Sequence, residues 1–200
     1  NLPGVHINTE FLRDIRLGKT VELGERVLVI GAGNVAMDCA RTAVRLGKHV
    51  AVHYRRSKED ASADPLEIEH AEEEGITFHC FSSPVEILSG PDGQVKGVRF
   101  QEMRPGEPDA QGRRRPIPVE GSEHVVDCES VIFSVGQRAG LAFLPEGAGV
   151  EIGKDETVVI DPSTCMTSRP GLFAAGDSTT GTAYVIEAVA SGHQAARGMH

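Results

Sequence analysis

The 200-residue chain predicts an α/β fold built on a parallel sheet, and three stretches carry that expectation. An apolar run, Val27-Leu28-Val29-Ile30, feeds straight into Gly31-Ala32-Gly33-Asn34-Val35-Ala36, a second β-rich run starts at His49, and Val131-Ile132-Phe133-Ser134-Val135 returns as a buried strand ending at Gly136. Strand, glycine turn, helix and strand in that order form a βαβ unit, whose two strands lie parallel in one sheet.

In chain order, residues around Asn8 to Leu17 set Phe11, Leu12 and Ile15 on one helical face, with Asn8 or Thr9 as N-cap and Gly18 as the stop. The strand over 27–30 and its turn lead into a helix beginning near Asn34. Val35, Ala36, Ala40, Ala43 and Val44 mark its buried face, and Gly47 its end. The second strand runs from His49 into Tyr54-Arg55-Arg56. A polar stretch, Ser57 to Ala63, precedes a helix announced by Asp64-Pro65 and closed by Gly75, with Glu67, Glu69 and Glu72 to Glu74 on a solvated acidic face.

Ile76 to Phe81 reads as a third strand. Val85 to Leu88, a Gly90-Pro91-Asp92-Gly93 turn and Val95 to Phe100 read as an antiparallel hairpin, and Arg104 to Pro118 as a loop rich in Pro, Gly and Arg. Beyond Gly136 come a short hairpin-like segment from Glu151 to Ile160 and a strand, Gly171 to Ala175, ending in a Gly176-Asp177 turn. A helix from about Ala183 to Arg197 completes the chain. A domain boundary is expected near Gly136 to Leu144.

The glycine turn carries the chemistry. Gly31 permits the tight turn, Gly33 removes the side chain that would hold phosphates off the backbone, and Ala36 lets the helix pack close to the strand. A dinucleotide diphosphate would then face the positive end of the helix starting at Asn34. At the end of the second strand, where a site for NAD places an acid on the ribose hydroxyls, this chain has Arg55 and Arg56. A carboxylate would repel the 2′-phosphate of NADP, whereas a guanidinium forms charge-assisted bonds to it. The reading is NADPH over NADH.

A formal net charge of −9 argues against nucleic acid or an acidic membrane as partner. The short basic run Arg113-Arg114-Arg115 reads as a solvated loop. The sequence has no apolar stretch of membrane-spanning length and no visible signal peptide, so a cytoplasmic location is expected. Asn1-Leu2-Pro3 is unlike a natural beginning, as expected of an excerpt. Cys39, Cys80, Cys128 and Cys165 are far apart and lack metal-ligand spacing, which reads as free thiols in a reducing compartment, with no metal site. No acid/base or nucleophilic constellation stands out, so no catalytic side chain is assigned, and His53, His79 and His193 read as structural or surface residues.

Several separated motifs together resemble the glutamate synthase small subunit family. They are IGAGNVAMDCARTAVRLG from Ile30, Tyr54-Arg55-Arg56-Ser57, Gly106-Glu107-Pro108-Asp109, Gly112-Arg113-Arg114-Arg115-Pro116, Val131 to Gln137 and the tail from Gly171 to Ala196. The resemblance implies an FAD- and NADPH-dependent oxidoreductase of the pyridine nucleotide-disulfide type, with a Rossmann-like three-layer (ββα) domain of the glutathione-reductase-like flavoprotein kind. It implies a connecting segment and helix over 1–23, an NADPH domain over 24–135 and the C-terminal part of an FAD domain over 136–200, the FAD βαβ lying outside this chain.

It further implies that Ser134-Val135-Gly136 approaches the nicotinamide and that Asp177, after Gly176, meets the ribityl or diphosphate of FAD. Backbone N–H groups near Tyr184 and Val185 would face the N1/O2 edge of the flavin. At Ala61-Ser62 relatives usually carry Met-Pro or an additional basic residue, so the resemblance supplies no third phosphate contact there. The implied role is electron input, from NADPH to FAD and onward through iron–sulfur centres, outside this chain, to a large partner subunit. On this reading the chain alone binds NADPH and holds FAD weakly or not at all. The alternatives are a noncatalytic dinucleotide-binding sensor or scaffold module, or the same flavoenzyme type serving a ferredoxin or sulfur compound.

Overall fold

The computed structural model describes residues 2–108, 112, 114–137, 140–145 and 147–200. The chain divides into two compact units, Asn1–Val135 and Gly136–His200.

The first unit is centred on a five-stranded, wholly parallel sheet. Its strands are β1 (Val5–Ile7), β2 (Arg26–Ile30), β3 (His49–His53), β4 (Thr77–His79) and β9 (Ser130–Phe133), in the order β1-β9-β2-β3-β4. Side chains of β2 alternate between two cores, as the strand's period of two requires. Val27 and Val29 pack against helices α1 (Asn8–Arg16), α2 (Asn34–Arg45) and α3 (Pro65–Glu73), together with Phe11, Met37 and Ile68. Leu28 and Ile30 face the opposite way, onto Val95, Val98, Phe100 and Val131. That second core lies against an antiparallel layer of β5 (Ser82–Ser89), β6 (Val95–Pro108), β7 (Arg114–Pro118) and β8 (His124–Asp127). Helices, parallel sheet and antiparallel sheet make the three layers expected from the resemblance. A strand buried on both faces reads as a continuous apolar run, which is why Val27 to Ile30 shows no polar alternation.

Some local expectations are corrected. The N-cap of α1 is Ile7, with no side-chain cap. Asn8 is already helical and buried, and its amide is committed elsewhere: Thr9 N–H donates to Asn8 Oδ1 at 2.7 Å, and Asn8 Nδ2 donates to Ser134 Oγ at 3.1 Å. Of the expected loop, the part up to Pro108 belongs to β6 and Arg114–Pro118 pairs with it as β7, with Met103 opposite Pro118 and Arg104 opposite Ile117. Among the described residues β7 pairs on one side only, where proline costs no ladder bond. Asp109 and Arg113, quoted for the resemblance, lie outside the described residues. The acidic face of α3 is not simply solvated. Glu67 and Glu74 pair with Arg41 of α2 at 2.7 and 2.9 Å, and Glu74 also pairs with Arg45 at 2.9 Å. Asp64 caps α3 as its sequence suggests, accepting the Leu66 N–H.

The second unit, taken by itself, is mostly irregular. Antiparallel bridges join Ile152 to Val158, Ile160 to Thr167 and Met166 to Phe173. The strand expected over Gly171 to Ala175 is reduced to that last bridge at Phe173. Asp177 opens a single turn, α4 (Asp177–Thr180), and α5 (Val185–Gly198) follows. Gly198 sits on the Thr164 main chain so closely that any β-carbon would collide with it. No helix of the described residues is long and apolar enough to cross a membrane.

Candidate functional site

The carboxyl ends of β2, β3 and β9 meet at one edge of the parallel sheet, with Ile30 beside both His53 and Phe133. In open α/β sheets this edge is where ligands sit. Gly31 leaves β2 with φ +119°, donating its N–H to the His53 carbonyl at 3.0 Å. A β-carbon at Gly31 would run into the Ser134 carbonyl. Two independent constraints, a positive φ and a main-chain neighbour, therefore require glycine there.

Ala32 is buried, and its carbonyl accepts the N–H groups of both Ser62 and Ala63 at 3.1 Å. Gly33 is the N-cap of α2 and offers no side-chain cap, and the first turn of α2 carries no acid. The amides of that turn are thus not neutralised by a carboxylate of the helix itself, the condition under which a helix start attracts phosphate. Ala36 is fully buried, so α2 lies close against the sheet, and Val35 packs at the margin of the same core. Asn34 Oδ1 accepts the Asp64 N–H at 2.7 Å and ties the start of α2 to the cap of α3.

Arg55 and Arg56 follow β3 after Tyr54. Arg55 is exposed and Arg56 half-buried. Main-chain bonds fix the segment, with Tyr54 N–H donating to the His79 carbonyl at 3.0 Å and Phe81 N–H to the Arg56 carbonyl at 3.1 Å. The Tyr54 hydroxyl donates to the Asp60 carbonyl at 2.9 Å, and Ser57 caps the short turn Lys58–Asp60. On the other side of β2, Ser134 donates its N–H to the Ile30 carbonyl at 2.8 Å and accepts the Asn8 amide through its hydroxyl. Val135 is 70% exposed, although it follows the buried strand β9.

His53 supports this edge from inside. Its ring is stacked 4.0 Å from Phe100 and 4.7 Å from His79, and Nδ1 lies 2.9 Å from Ser82 Oγ. Burial, reinforced by His79 and His124, pushes its pKa down to about 3. A neutral ring is therefore built into the layer below Gly31 while its carbonyl holds the turn. Cys39 and Cys128 are buried thiols pushed up to about 12 by desolvation, which makes them poor nucleophiles.

Gly136, at φ +109°, opens the second unit. Within that unit, Gly176 has φ +69° and donates its N–H to Ser191 Oγ at 2.9 Å, while its carbonyl accepts Thr179 and Thr180. A β-carbon at Gly176 would stand 3.5 Å from Ala188 Cβ, so the turn rests on α5. Asp177 is exposed. Tyr184, Val185 and Ile186 at the start of α5 are 65%, 82% and 73% exposed. The Tyr184 N–H donates to Glu187 Oε2 at 2.9 Å. Of the two amides that the resemblance aims at a flavin, the one at Tyr184 is therefore taken by its own helix.

The structure brings Gly31, Ala32, Gly33, Asn34, Val35, Ala36, Arg55, Arg56, Ser134 and Val135 to one edge of the first unit. In the second unit, Tyr184 and Val185 form the start of α5, and Gly176, followed by Asp177, rests on Ala188 and Ser191 of that helix. The sequence reading took Asn8 only as a possible N-cap and expected no phosphate contact at Ser62, because their neighbours Ser134 and Gly33 are supplied by the tertiary fold alone.

Comparison with known proteins gives a consistent picture. The family model described as pyridine nucleotide-disulphide oxidoreductase matches residues 1–195. The chain is 44% identical to the NADP(+)-dependent formate dehydrogenase subunit beta of Moorella thermoacetica, over 98% of its own length and 27% of that protein. It is 38% identical to the NADPH-Fe(3+) oxidoreductase subunit beta of Geobacter sulfurreducens, over 94% and 31%. It is 39% identical to the NADPH glutamate synthase small chain of Escherichia coli, over 88% and 38%. The chain thus spans well under half of these curated relatives. Among solved structures it is similar to the thioredoxin reductase of T. acidophilum, with a TM-score of 0.73 and 25% identity, over 98% of this chain and 56% of that one.

Proposed function

The chain belongs to the pyridine nucleotide-disulphide oxidoreductase family and its cofactors are NADP(H) and FAD, and from that premise we propose that it forms the electron-input part of an NADPH-dependent flavoenzyme. In this reading 24–135 is the NADPH domain, entered through 1–23, and 136–200 is the C-terminal part of an FAD domain. Electrons leave for a large or electron-accepting partner subunit, as in glutamate synthase. The observation that carries the coenzyme choice is the Arg55–Arg56 pair, held by main-chain bonds at the end of β3 on the edge that also holds the glycine turn. The names of the relatives support it, since each of the three reported above uses NADP or NADPH.

Each residue then has a physical task. Gly33 leaves open the space a diphosphate needs, and the uncapped first turn of α2 presents amides to it. Arg55 and Arg56 take the 2′-phosphate. The exposed Val135 and the backbone of Ser134 and Gly136 border the nicotinamide, with Ser134 anchored by Asn8. FAD, when bound, supplies hydride acceptance and single-electron release. Gly176 and Asp177 would meet its ribityl–diphosphate region, and the Val185 N–H at the positive end of α5 would face the N1/O2 edge. The four thiols are all free, and no group of His, Cys, Asp or Glu among the described residues could hold a metal, so we place any iron–sulfur relay outside these residues.

The test is anaerobic mixing of the full-length, FAD-loaded protein with NADPH or NADH while flavin absorbance is followed. Fast bleaching by NADPH, at least about tenfold faster than by NADH at equal subsaturating concentration, is the expected result. Coenzyme binding without flavin reduction would point instead to a sensor or scaffold.

A further inference from the structure

The Ser62 hydroxyl oxygen lies 3.2 Å from the point that a β-carbon on Gly33 would occupy. The second glycine of such a turn leaves that space empty so that the coenzyme diphosphate can pass close to the backbone. A hydroxyl bordering the same space borders the diphosphate. Its position is also fixed in advance. Ser62 and Ala63 both donate their N–H groups to the Ala32 carbonyl at 3.1 Å. Two residues earlier the Asp60 carbonyl accepts the Tyr54 hydroxyl, and two residues later the Asp64 N–H donates to Asn34 Oδ1. Ser62 itself is exposed, and no hydrogen bond among the described residues uses its hydroxyl. Phosphate oxygens only accept, and a serine hydroxyl can donate.

Resting on the coenzyme site described above, we propose that Ser62 is a coenzyme-binding residue whose hydroxyl donates to the diphosphate of the bound dinucleotide. The contact is separate from the arginine pair in both place and consequence. Arg55 and Arg56 meet a group that NADP has and NAD lacks, whereas Ser62 meets a group common to both. The arginines set coenzyme preference, and Ser62 sets affinity without preference.

The experiment compares the unmodified full-length protein with Ser62→Ala, titrated by calorimetry with NADP+, NAD+ and adenosine 2′-monophosphate, which carries the 2′-phosphate but no diphosphate. The expected result is a weakening of NADP+ and NAD+ by the same factor, about tenfold, with adenosine 2′-monophosphate unchanged. Affinities within twofold of the unmodified protein for both dinucleotides would overturn the proposal. A loss confined to NADP+ would overturn it too, by moving the contact to the 2′-phosphate. An equal loss for adenosine 2′-monophosphate would do the same, by showing that the loop had shifted. Failure of the coenzyme reading itself looks different: the unmodified protein would bind none of the three ligands, and the role of Ser62 would fall with it.

Discussion

Replacing Arg55 and Arg56 singly and together by alanine probes the coenzyme choice most directly. Hydrogen bonds to charged groups contribute about 1.5–3 kcal/mol, or roughly 10- to 150-fold in affinity. The two positions should fall at different ends of that range. Arg55 is exposed, so its attraction for a phosphate is screened by water and salt, and Arg55→Ala should weaken NADP+ by about tenfold. Arg56 is half-buried behind a main-chain bond from Phe81, so its side chain is better ordered and less screened. Arg56→Ala should lose closer to 100-fold. NAD+, which has no 2′-phosphate, should lose less than about threefold in either variant, since only long-range attraction to its diphosphate changes. Calorimetric titration of full-length protein at two salt concentrations measures all of this, and the NADP+ preference should shrink at the higher one. Equal affinities of the unmodified protein for the two coenzymes, or equal losses for both in the variants, would refute the reasoning.

Two further outcomes follow from the same edge of the sheet. Gly31→Ala forces a side chain into a φ of +119° and against the Ser134 carbonyl. The backbone region alone costs about 1–3 kcal/mol and the collision adds to it, so urea denaturation should show a large loss of stability together with loss of coenzyme binding. His53 has a folded-state pKa of about 3, below its ordinary 6.5, so the neutral ring is the form that the fold favours. Its contribution is complete above pH 6.5 and declines as pH falls toward 3, at up to about 1.4 kcal/mol per pH unit, because the unfolded chain takes up the proton first. Denaturation of the unmodified protein and of His53→Gln between pH 7 and 4 should differ in slope by about one proton; parallel curves would contradict the assignment.

The parts legible in the sequence were those governed by neighbours along the chain. The apolar run before Gly31, the small residues on one face of α2 and the Asp64-Pro65 start of α3 each state their structure within a few residues. β1 and β8 were not legible, because Val5–Ile7 and His124–Asp127 each hold only two apolar residues, whereas the equally short β9 carries the unbroken run Val131-Ile132-Phe133. β7 was hidden because Pro116 and Pro118 argue against a strand unless it lies at an edge, which only the finished sheet reveals. At the site, the glycines and Arg55–Arg56 could be read directly. Asn8 on Ser134 and Ser62 beside Gly33 could not, since one pair spans 126 positions and the other depends on a loop docking on the Ala32 carbonyl. By contrast, the partner of the Tyr184 amide, Glu187, stands only three residues on, although the resemblance aims that amide at the flavin.

Strand β9 lies between β1 and β2, yet it is the last strand of its unit to leave the ribosome. The Arg26–Glu129 pair beside it joins residues 103 positions apart. Until residue 130 has been made, β2 has a neighbour on only one side, and the Ser134 carbonyl that crowds Gly31 does not yet exist. A nascent chain halted before that point would offer an unpaired apolar edge, the surface that chaperones engage. Refolding should be slow for a unit of this size, since its central pairing must wait for so large a loop to close.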